Sequence, residues 1–107
     1  MYGSKDGRGM YISRIWGSQS VGFEKITIDN TAKGLTAAEY KNAQYALVCV
    51  ESGDIRCRWD GENPTTDTGI PFEDGDKFWL ESAEDIARFK AIRSGEASAV
   101  LHINYSL

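Results

Sequence analysis

Alternating apolar and polar residues recur in short segments along the chain, and glycine, serine or aspartate turn signals separate the segments. Strict alternation over ~4–8 residues is typical of strands that bury one face of a sheet. The pattern predicts an all-β fold, an antiparallel β-sandwich that is jelly-roll-like, with about eight short strands. The predicted strands span residues 10–16, 23–28, 45–51, 54–60, 69–72, 77–82, 86–93 and 98–107.

One segment, "LTAAEYKNA", breaks the strand pattern. In it, Thr36 and Glu39 have the spacing of a capping box, in which each side chain bonds the other residue's backbone N–H. The segment therefore predicts one short helix near residues 37–43. The start of the chain is glycine-rich and polar, and no internal repeat or domain linker follows it. We predict an N-terminal arm, residues 1–20, and a single β-sandwich domain, residues 21–107.

The dipeptide Ser52-Gly53 lies between two predicted strands and has the length of a two-residue hairpin turn. In that register the alternating side chains divide into an apolar, buried face and an outer face. The cysteines point to opposite faces and cannot bond to each other, and Cys57 is interpreted as a small buried hydrophobe. The predicted buried face carries Ala46, Val48, Val50, Ile55, Cys57 and Trp59, and the outer face carries Leu47, Cys49, Glu51, Arg56, Arg58 and Asp60.

Two arginines of the predicted outer face, Arg56 and Arg58, have Glu51 beside them in this register. One interpretation is a solvated cross-strand ion pair of small energetic value. The other is a polar contact with another subunit, because a planar guanidinium suits carboxylates and backbone carbonyls. The sequence leaves both open.

A second predicted hairpin turns at Asp74-Gly75. If its apolar residues Phe78 and Leu80 enter the core, Trp79 faces outward, and the preceding strand brings Ile70 and Phe72 beside it. Monomeric proteins rarely expose such a patch. Either a second sheet or a partner protein is expected to cover it.

Charge and composition narrow the classes of function. The 107-residue chain has a net charge of −4, and its arginines are scattered among acids, which disfavours a nucleic-acid partner. No apolar run approaches the ~20 residues of a membrane span, and the N-terminus lacks the features of a signal peptide. We expect synthesis in the cytoplasm. A single histidine, His102, rules out a multi-histidine metal site.

No motif for catalysis or cofactor binding is present in the sequence. It contains no nucleophile elbow, phosphate-binding glycine loop or dinucleotide fingerprint, so we expect neither enzymatic activity nor a cofactor. The acids between Asp60 and Asp76 do not follow the rhythm of a calcium loop. Gly61, Pro64 and Gly69 favour turns there instead. Carbohydrate binding by Trp59 would require an exposed ring, and the register places that ring inward.

The middle of the chain resembles a recurrent pattern in small β-sandwich proteins of tailed bacteriophages and prophages. The resemblance covers about residues 32–107, and the residues before Phe23 depart from it. The C-terminal segment "FKAIRSGEASAVLHINYSL" is also similar, with a Ser-Gly turn and a last strand that closes on the aromatic residue Tyr105. The matching positions in the middle are Val50-Glu51, Ile55-Arg56 with Arg58, Asp60-Gly61, Pro64-Thr65 and Gly75-Asp76.

The resemblance implies a non-enzymatic structural protein of the virion, with a capsid decoration (cement) protein as the first expectation. Its expected partners are the major capsid protein or other virion proteins and further copies of itself, with a trimer favoured. The alternative is a tail or fibre component with a carbohydrate-binding receptor role. The arm Met1–Gly9 is expected to dock on a neighbour. The residues proposed for the interface are Met1, Tyr2, Arg8, Arg56, Arg58, Ile70, Phe72 and Trp79.

Overall fold

The computed structural model describes residues 19–107. The strand predicted at 10–16, most of the predicted arm, and the candidate residues Met1, Tyr2 and Arg8 lie outside the described residues. The described strands are β1 (Ser20–Ile28), β2 (Lys33–Gly34), β3 (Tyr45–Glu51), β4 (Ile55–Arg58), β5 (Ile70–Phe72), β6 (Lys77–Leu80), β7 (Lys90–Arg93) and β8 (Ala99–Ser106). The described helices are α1 (Ala37–Tyr40) and α2 (Ala83–Arg88).

The strands form two four-stranded antiparallel sheets that face each other. Sheet A has the order β1-β8-β3-β6, and sheet B has the order β2-β7-β4-β5. The first four strands thus alternate between the sheets, and so do the last four, which is the strand order of a jelly roll. The predicted all-β, jelly-roll-like sandwich is confirmed.

The core lies between the sheets and consists of the side chains on the inward face of each strand. In β8, at the centre of sheet A, Ala99, Leu101, Ile103 and Tyr105 are fully buried. The predicted inward set is confirmed for Ala46, Val48, Val50, Ile55 and Cys57, which are buried. Trp59 packs against the core but is only half-buried, so its ring is not closed off as the register predicted.

The predicted hairpin at Ser52-Gly53 is wrong. β3 pairs with β6 and β8 in sheet A, whereas β4 pairs with β5 and β7 in sheet B, so the turn carries the chain from one sheet to the other. Both edges of β3 are occupied, which leaves none for β4. Ser52 takes a left-handed conformation (φ 73°). A Cβ on Gly53 would lie 3.0 Å from the Ser98 carbonyl oxygen, so the crossing passes tightly against the 97–98 backbone.

The predicted hairpin at Asp74-Gly75 is wrong for the same reason, because β5 belongs to sheet B and β6 to sheet A. Acidic side chains join this crossing to the first one. An oxygen of Asp74 accepts from the Ser52 N–H (3.2 Å), Asp54 accepts from the Asp74 N–H (3.0 Å), and Asp76 accepts from the Glu73 N–H (2.7 Å). Aspartates in turns commonly satisfy backbone donors in this way. These three acids therefore cap turns, as their sequence context indicates.

The predicted helix near 37–43 is confirmed as α1, although it is shorter. Thr36 is its N-cap residue but makes no side-chain cap bond, and the Thr36 N–H instead donates to the Glu24 carboxylate (3.1 Å). The structure adds a second helix, α2, in the region that we predicted as a strand from residue 86. The Ser82 hydroxyl caps it by accepting from the Asp85 N–H (3.1 Å). The strand itself begins only at Lys90.

Candidate functional site

The outer face of sheet A carries a row of side chains that crosses all four strands. The register aligns Phe23, Asn104, Leu47 and Trp79, in the order β1-β8-β3-β6. Three inter-strand steps of about 4.8 Å make the row about 14 Å long. Phe23 is 56% exposed at one end, and Leu47 and Trp79 are half-buried. We call these four residues the apolar row, since three of them are apolar.

Two polar atoms near the apolar row have no hydrogen-bond partner among the described residues. They are Trp79 Nε1 and Ser106 Oγ, and both are buried. The alternation of β6 and β8 places both residues on the outer side of sheet A, opposite to the core residues Leu80 and Tyr105. Buried polar groups in native proteins rarely lack a hydrogen-bond partner. Because both atoms are closed to solvent, a partner that docked on this face would not reach them without a local rearrangement.

A second row, beside the first, is basic. It aligns Lys25, His102, Cys49 and Lys77. The His102 ring pairs through Nε2 with Glu51 Oε1. The protein is acidic overall, with a net charge of −4, so this row differs in sign from the chain as a whole. A partner with carboxylates opposite the row would be attracted to it.

The same contacts correct the predicted partner of the outer-face arginines. Glu51 lies on sheet A and contacts His102, whereas Arg56 and Arg58 lie on sheet B. Cys49 stands opposite His102 in the register, yet no hydrogen bond of the described residues joins its thiol to the ring. The cluster therefore lacks the nucleophile–base contact that covalent catalysis uses.

The edge of sheet A at β1 is covered rather than open to strand addition. Lys33 Nζ donates to the Thr27 carbonyl oxygen (2.9 Å), and α1 packs against the strand. At Gly22, a Cβ would lie 2.9 Å from the Glu39 carbonyl oxygen. Covering an edge in this way prevents pairing with another chain. Among the described residues, this edge is therefore less accessible to strand addition than the outer face of the sheet is to a partner.

A separate cavity of about 420 Å³ opens at the rim of sheet B. Trp59 and Ile70 form its apolar wall, and Ile70 is 47% exposed. Arg58 and Asp60 flank it as a two-pronged ion pair, with Nε–Oδ1 at 3.1 Å and Nη2–Oδ2 at 2.5 Å. Thr68 and Gly69 complete the lining. We call this the Trp59 cavity.

The Arg58 guanidinium holds the pKa of Asp60 at about 2, well below its usual value, and the Glu62 N–H (3.2 Å) adds to the effect. The Asp60 carboxyl is thus ionised throughout the physiological range. It can accept hydrogen bonds but cannot donate one.

Acid titration followed by carboxyl ¹³C chemical shifts checks this arrangement. Asp60 is expected to titrate near pH 2, and the Arg58→Gln variant should raise its pKa towards the ~3.9 of an unfolded chain. Because the folded pKa is the lower one, the pair stabilises the fold above pH ~4 and is lost as the pH falls towards 2. An Asp60 that titrates near pH 4 in the unmodified protein would contradict the ion pair.

The remaining candidate residues have different surroundings from those predicted. Arg56 lies on the outer side of sheet B and fastens the loop after β4, donating to the Thr66 carbonyl (3.1 Å) and the Gly69 carbonyl (2.8 Å). The Phe72 ring points inward and stacks on Phe78, with centroids 4.0 Å apart. Since β5 and β6 do not pair, Ile70, Phe72 and Trp79 do not form the single patch that the second hairpin predicted.

Two buried titratable groups in the core are structural. Burial raises the pKa of the Cys57 thiol to about 12, which agrees with its interpretation as a small hydrophobe. Burial, and then the Glu24 carboxylate, raise the pKa of Tyr105 far above its usual value. The Tyr105 hydroxyl donates to Glu24 Oε2 at 2.5 Å. Neither group lines the Trp59 cavity.

Sequence reasoning placed Trp79 outward but missed the apolar row as a whole, and it dismissed Trp59 as a ligand-binding residue and so missed the Trp59 cavity. The row had a local signal, because the alternation that buries Ile26 and Ile28 places Phe23 outward. The cavity had no local signal in the sequence, because it forms only where the loop after β4 folds back onto that strand. Within residues 19–107, no group of three or more His, Cys, Asp or Glu is placed to hold a metal ion. No helix in that range is long and apolar enough to cross a membrane.

Comparison with known proteins yields no relative: no family model, no curated protein and no solved structure matches the chain.

Proposed function

We propose that the protein is a non-enzymatic structural protein of a tailed-phage virion, a capsid decoration (cement) protein that acts through protein–protein contacts. The phage assignment rests on the sequence resemblance in residues 32–107. The observation that carries the binding role is the apolar row Phe23, Asn104, Leu47 and Trp79 on the outer face of sheet A.

The apolar row has the chemistry of a contact surface. A phenylalanine more than half exposed is costly to leave in water. Trp79 is half-buried at the other end of the same row. Tryptophan is among the residues that most often dominate binding energy at interfaces. The apolar row would supply affinity, and the basic row beside it would orient an acidic partner.

Self-association about a closed symmetry axis is part of the proposal, with a trimer favoured. Decoration of a symmetric shell requires each copy to contact identical neighbours, and the rigid two-sheet body suits that task. The predicted docking arm, Met1–Gly9, remains a further proposed contact, whereas Arg56 and Arg58 are already engaged by the loop after β4 and by Asp60. The assembled protein would be located on the virion, after synthesis in the bacterial host cytoplasm.

Light scattering coupled to size-exclusion chromatography tests whether the protein self-associates through the outer face of sheet A. The full chain is expected to form an oligomer, and Phe23→Glu should weaken its association at least about tenfold, because a charge is introduced into an apolar contact. Ile70→Glu is the matched control, since Ile70 is similarly exposed (47% against 56%) but lies on sheet B. A strict monomer at high concentration, or equal effects of the two changes, would contradict assembly through sheet A.

Labelling of particles tests the virion assignment independently. Antibodies against the purified chain are expected to decorate the heads of phage particles induced from the source strain. Label on tails would instead favour the tail or fibre alternative. If purified particles carried no label, the virion proposal would fall, although assembly through the apolar row could still hold.

A further inference from the structure

We infer that the Trp59 cavity binds a neutral saccharide ring, in contact with the Trp59 indole and hydrogen-bonded to Arg58 and Asp60. This inference does not depend on assembly through sheet A, because the cavity lies at the rim of sheet B.

The indole is a fixed platform. Two core rings hold it nearly parallel, Phe78 at an interplanar angle of 14° and Phe89 at 20°. The same indole is part of the cavity wall, next to the exposed side chain of Ile70. A pyranose presents C–H groups on one face and hydroxyls around its edge. An immobilised aromatic wall suits the C–H face, because burying it removes apolar surface from water without further ordering of the protein.

The polar rim suits hydroxyls better than it suits an ion. Arg58 and Asp60 neutralise each other, so the rim offers both donors and acceptors without net charge. Arg58 uses Nε and Nη2 for Asp60, which leaves other guanidinium N–H groups available, and the ionised Asp60 has spare lone pairs. Neighbouring hydroxyls of a sugar can donate to the carboxylate and accept from the guanidinium. Asp60 would repel a phosphate, and Arg58 would repel a cation.

The loop behind the cavity is preorganised. The backbone groups of Thr65 and Thr68 form two hydrogen bonds with each other, at 2.9 and 3.3 Å. The Arg56 guanidinium donates hydrogen bonds to the Thr66 and Gly69 carbonyl oxygens of the same loop. Gly69 adopts φ 139°, which strongly favours glycine, and its added Cβ would lie 3.1 Å from the Cys57 carbonyl oxygen. A loop held in this way loses little entropy on binding. The cavity volume of about 420 Å³ also falls within the usual range for small-molecule sites.

A glycan array probed with the labelled full chain tests the inference, followed by NMR titration with methyl glycosides of the sugars that bind. The expected result is saturable shifts of the Trp59 indole N–H and the Thr68–Ile70 amides. Sorbitol, which carries the hydroxyls without a ring, should cause none. A blank array, shifts confined to other regions, or equal shifts with sorbitol would each overturn the inference.

Matched variants separate the cavity from general surface effects. Asp60→Asn is expected to weaken sugar binding at least about tenfold, because the ion pair and the charged acceptor are lost. Asp67→Asn, the same change in the same loop outside the cavity lining, should bind as the unmodified chain does. Equal affinity of Asp60→Asn and the unmodified chain would overturn the assignment. Neither variant is expected to alter the oligomer, so failure here is distinguishable from failure of the proposed assembly.

Discussion

Replacing Phe89 by alanine is expected to lower the free energy of unfolding by about 3–5 kcal/mol. Phe89 is 1% exposed and lies between α2 and β7. Its ring approaches Phe78 of sheet A (centroids 5.9 Å apart) and Trp59 at the end of β4 (6.3 Å). Its removal would leave a cavity between the two sheets. Because the free energy of unfolding of a domain is only ~5–15 kcal/mol, this single substitution would remove a large part of the protein's stability.

Urea unfolding followed by tryptophan fluorescence measures this loss, and Phe23→Ala is its control. Phe23 is 56% exposed, so the same truncation there should change stability by less than ~0.5 kcal/mol. On the proposed function, Phe23→Ala instead weakens self-association. A Phe89→Ala loss below ~1 kcal/mol would contradict the aromatic cluster. Near-ultraviolet circular dichroism should also weaken, because Trp59 loses one of the rings that hold it.

Replacing Gly53 by alanine is expected to destabilise the protein by about 1–3 kcal/mol, as overpacking does in a closely packed site. The new Cβ would lie 3.0 Å from the Ser98 carbonyl oxygen and 3.1 Å from that of Ala97. Both neighbours are backbone atoms, so the segment before β8 would have to move. A simple hairpin turn at Ser52-Gly53 would not create this conflict. The variant therefore tests the sheet crossing itself.

Gly95→Ala is the matched control for the crossing. A Cβ at Gly95 meets no atom within 4 Å. That variant should be as stable as the parent or up to ~1 kcal/mol more stable, because alanine restricts the unfolded chain. Thermal and urea unfolding of the two variants in parallel measure the difference. Equal stabilities would contradict the tight approach of the crossing to the 97–98 backbone.

The two proposed activities occupy different parts of the sandwich. Assembly would use the apolar row on the outer face of sheet A, whereas saccharide binding would use a cavity at the rim of sheet B. A protein assembled through one sheet would thus keep the other available. This separation makes the Phe23 and Asp60 variants informative in each other's assays, since each should leave the other activity unchanged.

The sequence predicted most strands and the inward residues correctly because alternation is a local property. Val48, Val50, Ile55 and Cys57 lie two residues apart within their strands, and each strand has only one apolar side to bury. The prediction of a strand from residue 86 failed where a local signal was overlooked. Ser82 followed by Asp85 is a helix-capping spacing, and Phe89 is buried after the helix rather than within a strand.

Alternation along the sequence is enough to predict short strands, one buried face on each strand, and acidic residues placed in turns. The pairing of those strands is visible only in the folded protein. A hairpin and a sheet crossing at Ser52-Gly53 bury the same side chains, so alternation cannot distinguish them. The choice follows from competition between strands distant in sequence, in which β8 and β6 occupy both edges of β3. That competition places Glu51 beside His102, sets Trp79 in line with Phe23, and leaves Trp59 at the wall of a cavity.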